Sequence, residues 1–245
     1  SAAMRRIQAY SHAQVSKWIL ELARSFEDVD IEQVQALIND ERIVSGFSEV
    51  TELSEIQSQL NELRRSHVNT IRDTLDKLES SDLVKSVTIA IEVATEDGNK
   101  HGQILIDDLV DIYEVEAQEF LRIEGENIDQ LVDEITDLAD NGTSGDLLVK
   151  KVFQLNKVVR NWDTVAQPIQ VSTKSRGLEH DASHEVAAIV RGLALKLYNE
   201  HDELGLSQKI TEMLSEVFAE VVEVAERAAE DIAALENIAD QRSEW

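Results

Sequence analysis

Two pairs of carboxylates in the middle of the chain have the spacing of a divalent-cation site. Glu116 precedes Glu119 by three residues, and Glu134 precedes Asp137 by the same interval. Residues three apart on a helix share one face. Two such helices packed side by side would offer Mg²⁺ the oxygen ligands that it prefers, and the bound ion would hold a triphosphate. The pairs therefore indicate a candidate Mg²⁺ site.

This spacing is similar to that of the all-α nucleoside triphosphate pyrophosphohydrolases, and the similarity implies a Mg²⁺-dependent hydrolase as one alternative function. Chance is the simpler explanation, because residues 92–140 contain 16 Asp and Glu. The small residues that surround the motif in that family are missing, and no Lys or Arg cluster lies nearby to grip phosphate groups. Outside this alternative, we expect no cofactor.

His180 and His184 form a second candidate metal site. They lie four residues apart among acidic neighbours, so a helix would bring both imidazoles to one face. That geometry suits zinc or another transition metal, but a third ligand would have to come from elsewhere, such as His201 or Asp202. The alternative interpretation is two polar residues at the start of a helix.

Other common catalytic chemistries lack their residues. The chain has no Cys, which excludes disulfides and Cys-ligated metals. It has no Gly-x-Ser-x-Gly motif for a nucleophilic serine, and neither of the usual glycine-rich motifs for binding nucleotide phosphates. The sequence therefore favours a non-enzymatic protein over an enzyme.

Charge is the strongest feature of the composition. The 245 residues carry 23 Lys and Arg against 49 Asp and Glu, a net charge of −26, and residues 92–140 alone carry −14. A charge of this size disfavours binding to nucleic acid. It indicates either a solvated helix surface or a docking surface for a protein with a basic surface. The candidate docking residues are Asp107, Asp108, Asp111 and Glu114.

The periodicity of the apolar residues predicts an all-α fold. Apolar residues recur at intervals of three and four, while one Pro and nine Gly are too few for the turns of a β-sandwich or barrel. We expect a bundle of about eight helices without a significant sheet. Turn residues at 140–145 predict two packed subdomains, 1–142 and 143–245.

Individual residues predict several helix boundaries. The acidic segment is predicted to form two helices, 104–121 and 128–138. Pro168 is predicted to end the preceding helix, because proline lacks the donor N–H and disfavours helix at the residue before it. One long helix is predicted over 206–238. A heptad-like pattern predicts another over about 47–79, which is either one member of the bundle or half of a dimeric coiled coil.

The segment around the only Pro is a pattern of packing residues and turns that resembles a known protein region. The motif runs Trp162-Asp163-x-Val165-Ala166-Gln167-Pro168-Ile169-Gln170, then Ser175-Arg176-Gly177, Arg191-x-Leu193-Ala194 and Leu197-Tyr198-Asn199-Glu200. Over about residues 155–240 it is similar to an uncharacterised helical region of some bacterial J-domain-containing proteins.

The resemblance implies a link to protein quality control but carries over no functional residue. J domains stimulate their chaperone ATPase through a His-Pro-Asp tripeptide, which this chain does not contain. The resemblance therefore implies an accessory region outside the J domain. We expect a structural corner that could also line a groove for a partner, formed by Trp162, Gln167, Pro168, Arg176 and Gly177.

The leading hypothesis is a non-enzymatic protein-interaction or scaffold module. The two alternatives are the Mg²⁺-dependent hydrolase and a coiled-coil module that forms a homo-oligomer. No apolar run is long enough to span a membrane, and no apolar segment of a signal peptide follows Met4-Arg5-Arg6. The expected location is therefore the cytoplasm, without a membrane partner.

Overall fold

The computed structural model describes residues 2–27, 29–49, 52–142 and 145–243. Within these ranges the chain forms nine helices and no strand, which confirms the all-α fold. None of the described helices has the length and apolar character needed to cross a membrane. The helices are α1 Ala2–Glu27, α2 Ile31–Val44, α3 Leu53–Leu75, α4 Ser80–Thr95, α5 Ile104–Asp140, α6 Asp146–Ser175, α7 Asp181–His201, α8 Leu204–Val217 and α9 Val222–Ser243.

Contacts within the chain divide it into two compact units. The first is Ser1–Ile112 and the second is Tyr113–Trp245, so the division lies inside α5. The boundary suggested by the sequence, between residues 142 and 143, falls instead within the second unit, in the turn between α5 and α6.

In the first unit, α1 packs against α4 and α2 packs against α3. Small residues allow the close approach of α1 to α4, where the buried Ser16 donates from Oγ to the backbone oxygen of Ser86 at 2.9 Å. The helix α3 is shorter than the predicted span of about 47–79. It ends in a turn closed by a bond from the Leu78 N–H to the Leu75 carbonyl, and α4 follows.

The heptad-like pattern of α3 contributes to the core of the folded chain. Ile56, Val68, Ile71 and Leu75 are all buried, at 5% exposure or less. Leu53 and Leu63 of the same predicted pattern are exposed, at 42% and 50%, so the folded chain buries only part of this seam.

The second unit has one continuous apolar core built from α5 to α9. Trp162 and Phe218 are its largest buried side chains, with their ring centroids 6.1 Å apart. Buried apolar side chains from all five helices belong to the same core, including Ile128, Leu155, Val190, Leu214 and Ala228. This packing holds the C-terminal part of α6 beside the start of α7.

Two predicted helices in the acidic segment are in fact the single helix α5. The prediction of a break around residues 122–127 is wrong, because α5 runs without interruption from Ile104 to Asp140. Arg122 supports the helix there by pairing with Glu119 three residues before it and Glu126 four residues after it. Such pairs on one helix face stabilise a helix locally.

The prediction that Pro168 ends its helix is also wrong, since α6 continues through it to Ser175. Proline costs the helix one hydrogen bond, but tertiary packing outweighs that local preference here. Ala166, Pro168 and Ile169 are all buried. In the same turn, the Tyr113 hydroxyl donates to the Val165 carbonyl at 2.8 Å.

The predicted helix over 206–238 is divided into α8 and α9. The break lies between Val217 and Val222, where no Gly or Pro marks it. Phe218, which is 0% exposed, anchors this connection in the core. The chain changes direction here at a large buried side chain and without a turn motif.

Candidate functional site

A connected group of polar side chains lies where α6 ends and α7 begins. We call it the α6–α7 corner, formed by Trp162, Asp163, Gln170, His180 and Ser183. Gln170 is 2% exposed and Ser183 is 0% exposed. The Gln170 amide donates from Nε2 to Ser183 Oγ at 3.0 Å, and His180 Nδ1 lies 2.6 Å from the same oxygen. The His180 ring also stacks on Trp162, with centroids 6.2 Å apart.

Asp163 is the unusual titratable group of the corner. Burial raises the pKa of its carboxyl to about 7, against the opposing effect of a hydrogen bond from Gln170. Two buried oxygens, Asp163 Oδ1 and Gln170 Oε1, have no hydrogen-bond partner among the described residues. A buried carboxylate in such surroundings is costly, so the neutral acid is the favoured form below neutral pH.

The two candidate metal-ligating histidines of the corner have separate contacts. His180 precedes α7 with an extended backbone, at φ −99° and ψ 96°, so it does not share a helical face with His184. Burial lowers the pKa of His180, which favours the neutral imidazole that bonds to Ser183. His184 Nε2 instead lies 3.9 Å from Glu179 Oε2. The described residues supply the pair with no third ligand.

Of the five residues of the predicted structural corner, Trp162 reaches the start of α7 by stacking on His180, and Arg176 and Gly177 directly follow α6. Trp162 is 1% exposed and donates from Nε1 to the Leu121 carbonyl at 3.1 Å, and Pro168 is also buried. Both are packing residues that a partner cannot reach. Gln167 is half-buried, Arg176 bonds from Nη2 to Ser172 Oγ at 3.0 Å, and Gly177 has a φ of +68°.

The four acidic residues predicted for docking are only partly available. Asp107 lies 2.9 Å from His101 Nε2, and Asp108 accepts a bond of 2.7 Å from Arg64 Nε. Asp111 and Glu114 are exposed on α5. Of the four, Glu114 is both exposed and without an ion pair among the described residues.

The four carboxylates of the candidate Mg²⁺ site do not converge. They lie on one continuous helix, where the 15 residues from Glu119 to Glu134 span about 22 Å. Glu119 pairs with Arg122, and Glu134 pairs with Lys151; each cation holds the pKa of its carboxyl below the usual range. Glu116 lies beside Glu119 and Asp137 lies beside Glu134, so the two pairs are equally far apart and the four carboxylates cannot share one ion.

Asp140, Glu200 and His201 form the one trio of metal-ligand type within the described ranges, and it was not predicted as a group. His201 Nε2 lies 3.0 Å from Asp140 Oδ1. Lys196 already supplies a cation, because its Nζ lies 2.9 Å from Asp140 Oδ2 and 3.9 Å from Glu200 Oε2. Its ammonium holds the pKa of Asp140 below the usual range. The sequence places Glu200 and His201 next to each other, but it does not show that Asp140 lies beside them.

One outward side of α5 combines apolar and acidic residues. We call it the acidic face, formed by Val115, Glu116, Glu119, Phe120 and Ile123. Val115 is 72% exposed, Ile123 is 43% exposed and Phe120 is 40% exposed. The opposite side of the helix carries the buried residues Ala117, Ile128 and Ile135.

A second exposed surface combines apolar residues with unpaired cations. We call it the basic face, formed by Val149, Lys150, Phe153 and Lys157 on α6 and Lys209 on α8. Phe153 is 73% exposed and Val149 is 45% exposed. The three lysines are exposed and form no ion pair in the part of the chain that the structure describes. A groove of about 280 Å³ runs beside them, with Val152, Ile210 and Met213 in its wall. Glu212 and Glu216 also line this groove, and Glu216 is paired with Arg160.

No protein-family model, curated protein or solved structure matches this chain. The functional argument therefore depends on the geometry of its own residues.

Proposed function

We propose that the chain is a non-enzymatic protein-binding module whose acidic face is a docking surface for a basic, partly apolar partner. The single observation that carries the proposal is the exposure of Val115, Phe120 and Ile123 among carboxylates. Apolar side chains grouped on a charged surface are typical of protein interfaces, where they form the centre and the charges form the rim.

Charge supports the same partner chemistry. Residues 113–140 of α5 contain ten Asp and Glu against the single Arg122. Glu116 has no ion pair within the described residues, while Glu119 already pairs with Arg122. A partner with a basic surface would be oriented on the acidic face by these local carboxylates.

The resemblance to a helical region of J-domain-containing proteins adds a biological setting to this proposal. An accessory region of a co-chaperone would bind proteins without stimulating the chaperone ATPase itself. The cytoplasm is the proposed location. The hydrolase alternative has no support from the geometry, because its carboxylates lie too far apart along α5.

A photo-crosslinking residue placed at position 115 tests the proposal. The full chain would be exposed to a lysate of its source cells and irradiated, and the adducts would be identified by mass spectrometry. We expect a discrete adduct from position 115 that disappears when Glu116→Lys and Glu119→Lys are added. The matched control carries the same residue at position 229, which is exposed on α9 outside the acidic face. Absence of a specific adduct at position 115 would refute the proposal.

A further inference from the structure

The basic face is an exception in a chain with a net charge of −26. Lys150 and Lys157 flank Phe153 on α6, at three residues before it and four residues after it, so the three share one side of the helix. Lys209 on α8 lies across the adjoining groove. A partner for this surface must combine apolar contacts with negative charge.

The acidic face of this same chain has that chemistry. Val115 and Ile123 lie one helical turn to either side of Glu119, and Glu116 lies beside them. The basic face has exposed Val149 and Phe153 beside lysines. Each face therefore mixes exposed apolar side chains with charges, and the charges of the two faces are opposite in sign.

We propose that the basic face binds the acidic face of a second copy of this chain, in a head-to-tail association. The inference rests on the proposed docking role of the acidic face and names the partner for it. Because two different surfaces meet, the interface is heterologous, and each copy keeps one free face for a further copy. The association would close into a ring or continue as an open chain.

Net repulsion between two acidic copies does not prevent this contact at ordinary salt. At about 0.15 M ionic strength, charges more than about 8 Å apart are largely screened, whereas charges in direct contact are not. At about 0.01 M the screening length grows to about 30 Å, so that repulsion between the whole chains returns. We therefore expect association to be stronger at the higher of these two salt concentrations.

Sedimentation analysis of the purified full chain over a wide range of concentrations tests the inference. We expect the mass to rise with concentration in the native chain. Two charge reversals should each weaken association by at least about tenfold, because like charges would then face each other. One is Lys150→Glu with Lys157→Glu, and the other is Glu116→Lys with Glu119→Lys. A 1:1 mixture of the two variants should associate again, since each altered face then meets a complementary one.

Further variants separate the interface from folding and from total charge. Phe153→Ser should weaken association while leaving the helical circular dichroism unchanged, because its side chain is 73% exposed. Lys77→Glu with Lys85→Glu, two exposed positions in the first unit, makes the same charge change elsewhere and should have no effect.

A native chain that sediments as a monomer at every concentration would overturn the inference, as would a mixture of the reversed variants that stays monomeric. The proposed function would survive either result if position 115 crosslinked to a different protein. An adduct of two copies of this chain at position 115 would support both.

Discussion

The raised pKa of Asp163 leads to a testable dependence of stability on pH. The folded chain holds this proton up to a pH of about 7, whereas an unfolded chain releases it near 3.8. Between these values the folded state binds more protons, so the contribution of Asp163 is fully present below pH 3.8 and is lost as the pH rises through about 7. The shift of about 3 units corresponds to at most about 4 kcal/mol.

The variant Asp163→Asn replaces the carboxyl with a neutral group of similar shape. We expect its free energy of unfolding to exceed that of the native chain above pH 8, by up to about 4 kcal/mol, and to approach it near pH 4. Urea unfolding followed by circular dichroism at a series of pH values measures the difference. Effects of the other acidic residues are common to both proteins and cancel in that difference.

Asp133→Asn provides the matched control, because Asp133 is exposed on α5 and forms no ion pair among the described residues. Because the Asp133 side chain is exposed, burial gives this variant no gain of the kind expected for Asp163→Asn. If the Asp163→Asn and native curves ran parallel from pH 4 to pH 8, the argument from burial would be refuted. Asp163 would then ionise normally in the folded chain.

Two further predictions concern single residues of the second unit. Gly177→Ala should lower the free energy of unfolding, measured in urea, by about 1 kcal/mol, because Gly177 has a φ of +68°. Gly192→Ala lies within α7 with open space around it and should instead raise the free energy of unfolding by about 0.5–1 kcal/mol. A change of the same sign in both variants would contradict the backbone explanation. Trp162→Phe should cost about 2 kcal/mol, because it removes the indole bond to the Leu121 carbonyl and leaves unfilled space in the core. Unchanged stability would show that neither the bond nor the larger ring contributes.

The helical fold could be predicted because it depends on local periodicity. The apolar spacing of α3 placed Ile56, Ile71 and Leu75 on one side, and all three are buried. The errors occurred where packing outweighs a local preference. Pro168 is a strong local signal for the end of a helix, but its buried neighbours hold α6 in one piece. The break after Val217 had no local signal of any kind.

The α6–α7 corner could be predicted only in part. Trp162 and Pro168 stand out in the sequence because they are rare residue types in this chain. Asp163 belongs to the same motif, but only a helix α6 that continues through Pro168 puts it on one face with Gln170, seven residues later. The burial that raises its pKa comes from other elements of the second unit, and a single sequence does not reveal that packing.

The placement of the aromatic residues also gives the molecule an internal optical reporter. Trp162 is buried in the core of the second unit with an imidazole stacked on it, while Trp18 belongs to the first unit and is only half-buried. The third tryptophan, Trp245, lies outside the described residues. An indole in an apolar site emits at shorter wavelengths than one in water, and a protonated imidazole quenches it. The intrinsic fluorescence of Trp162 therefore registers both the loosening of that core and the charge on His180, without any added dye.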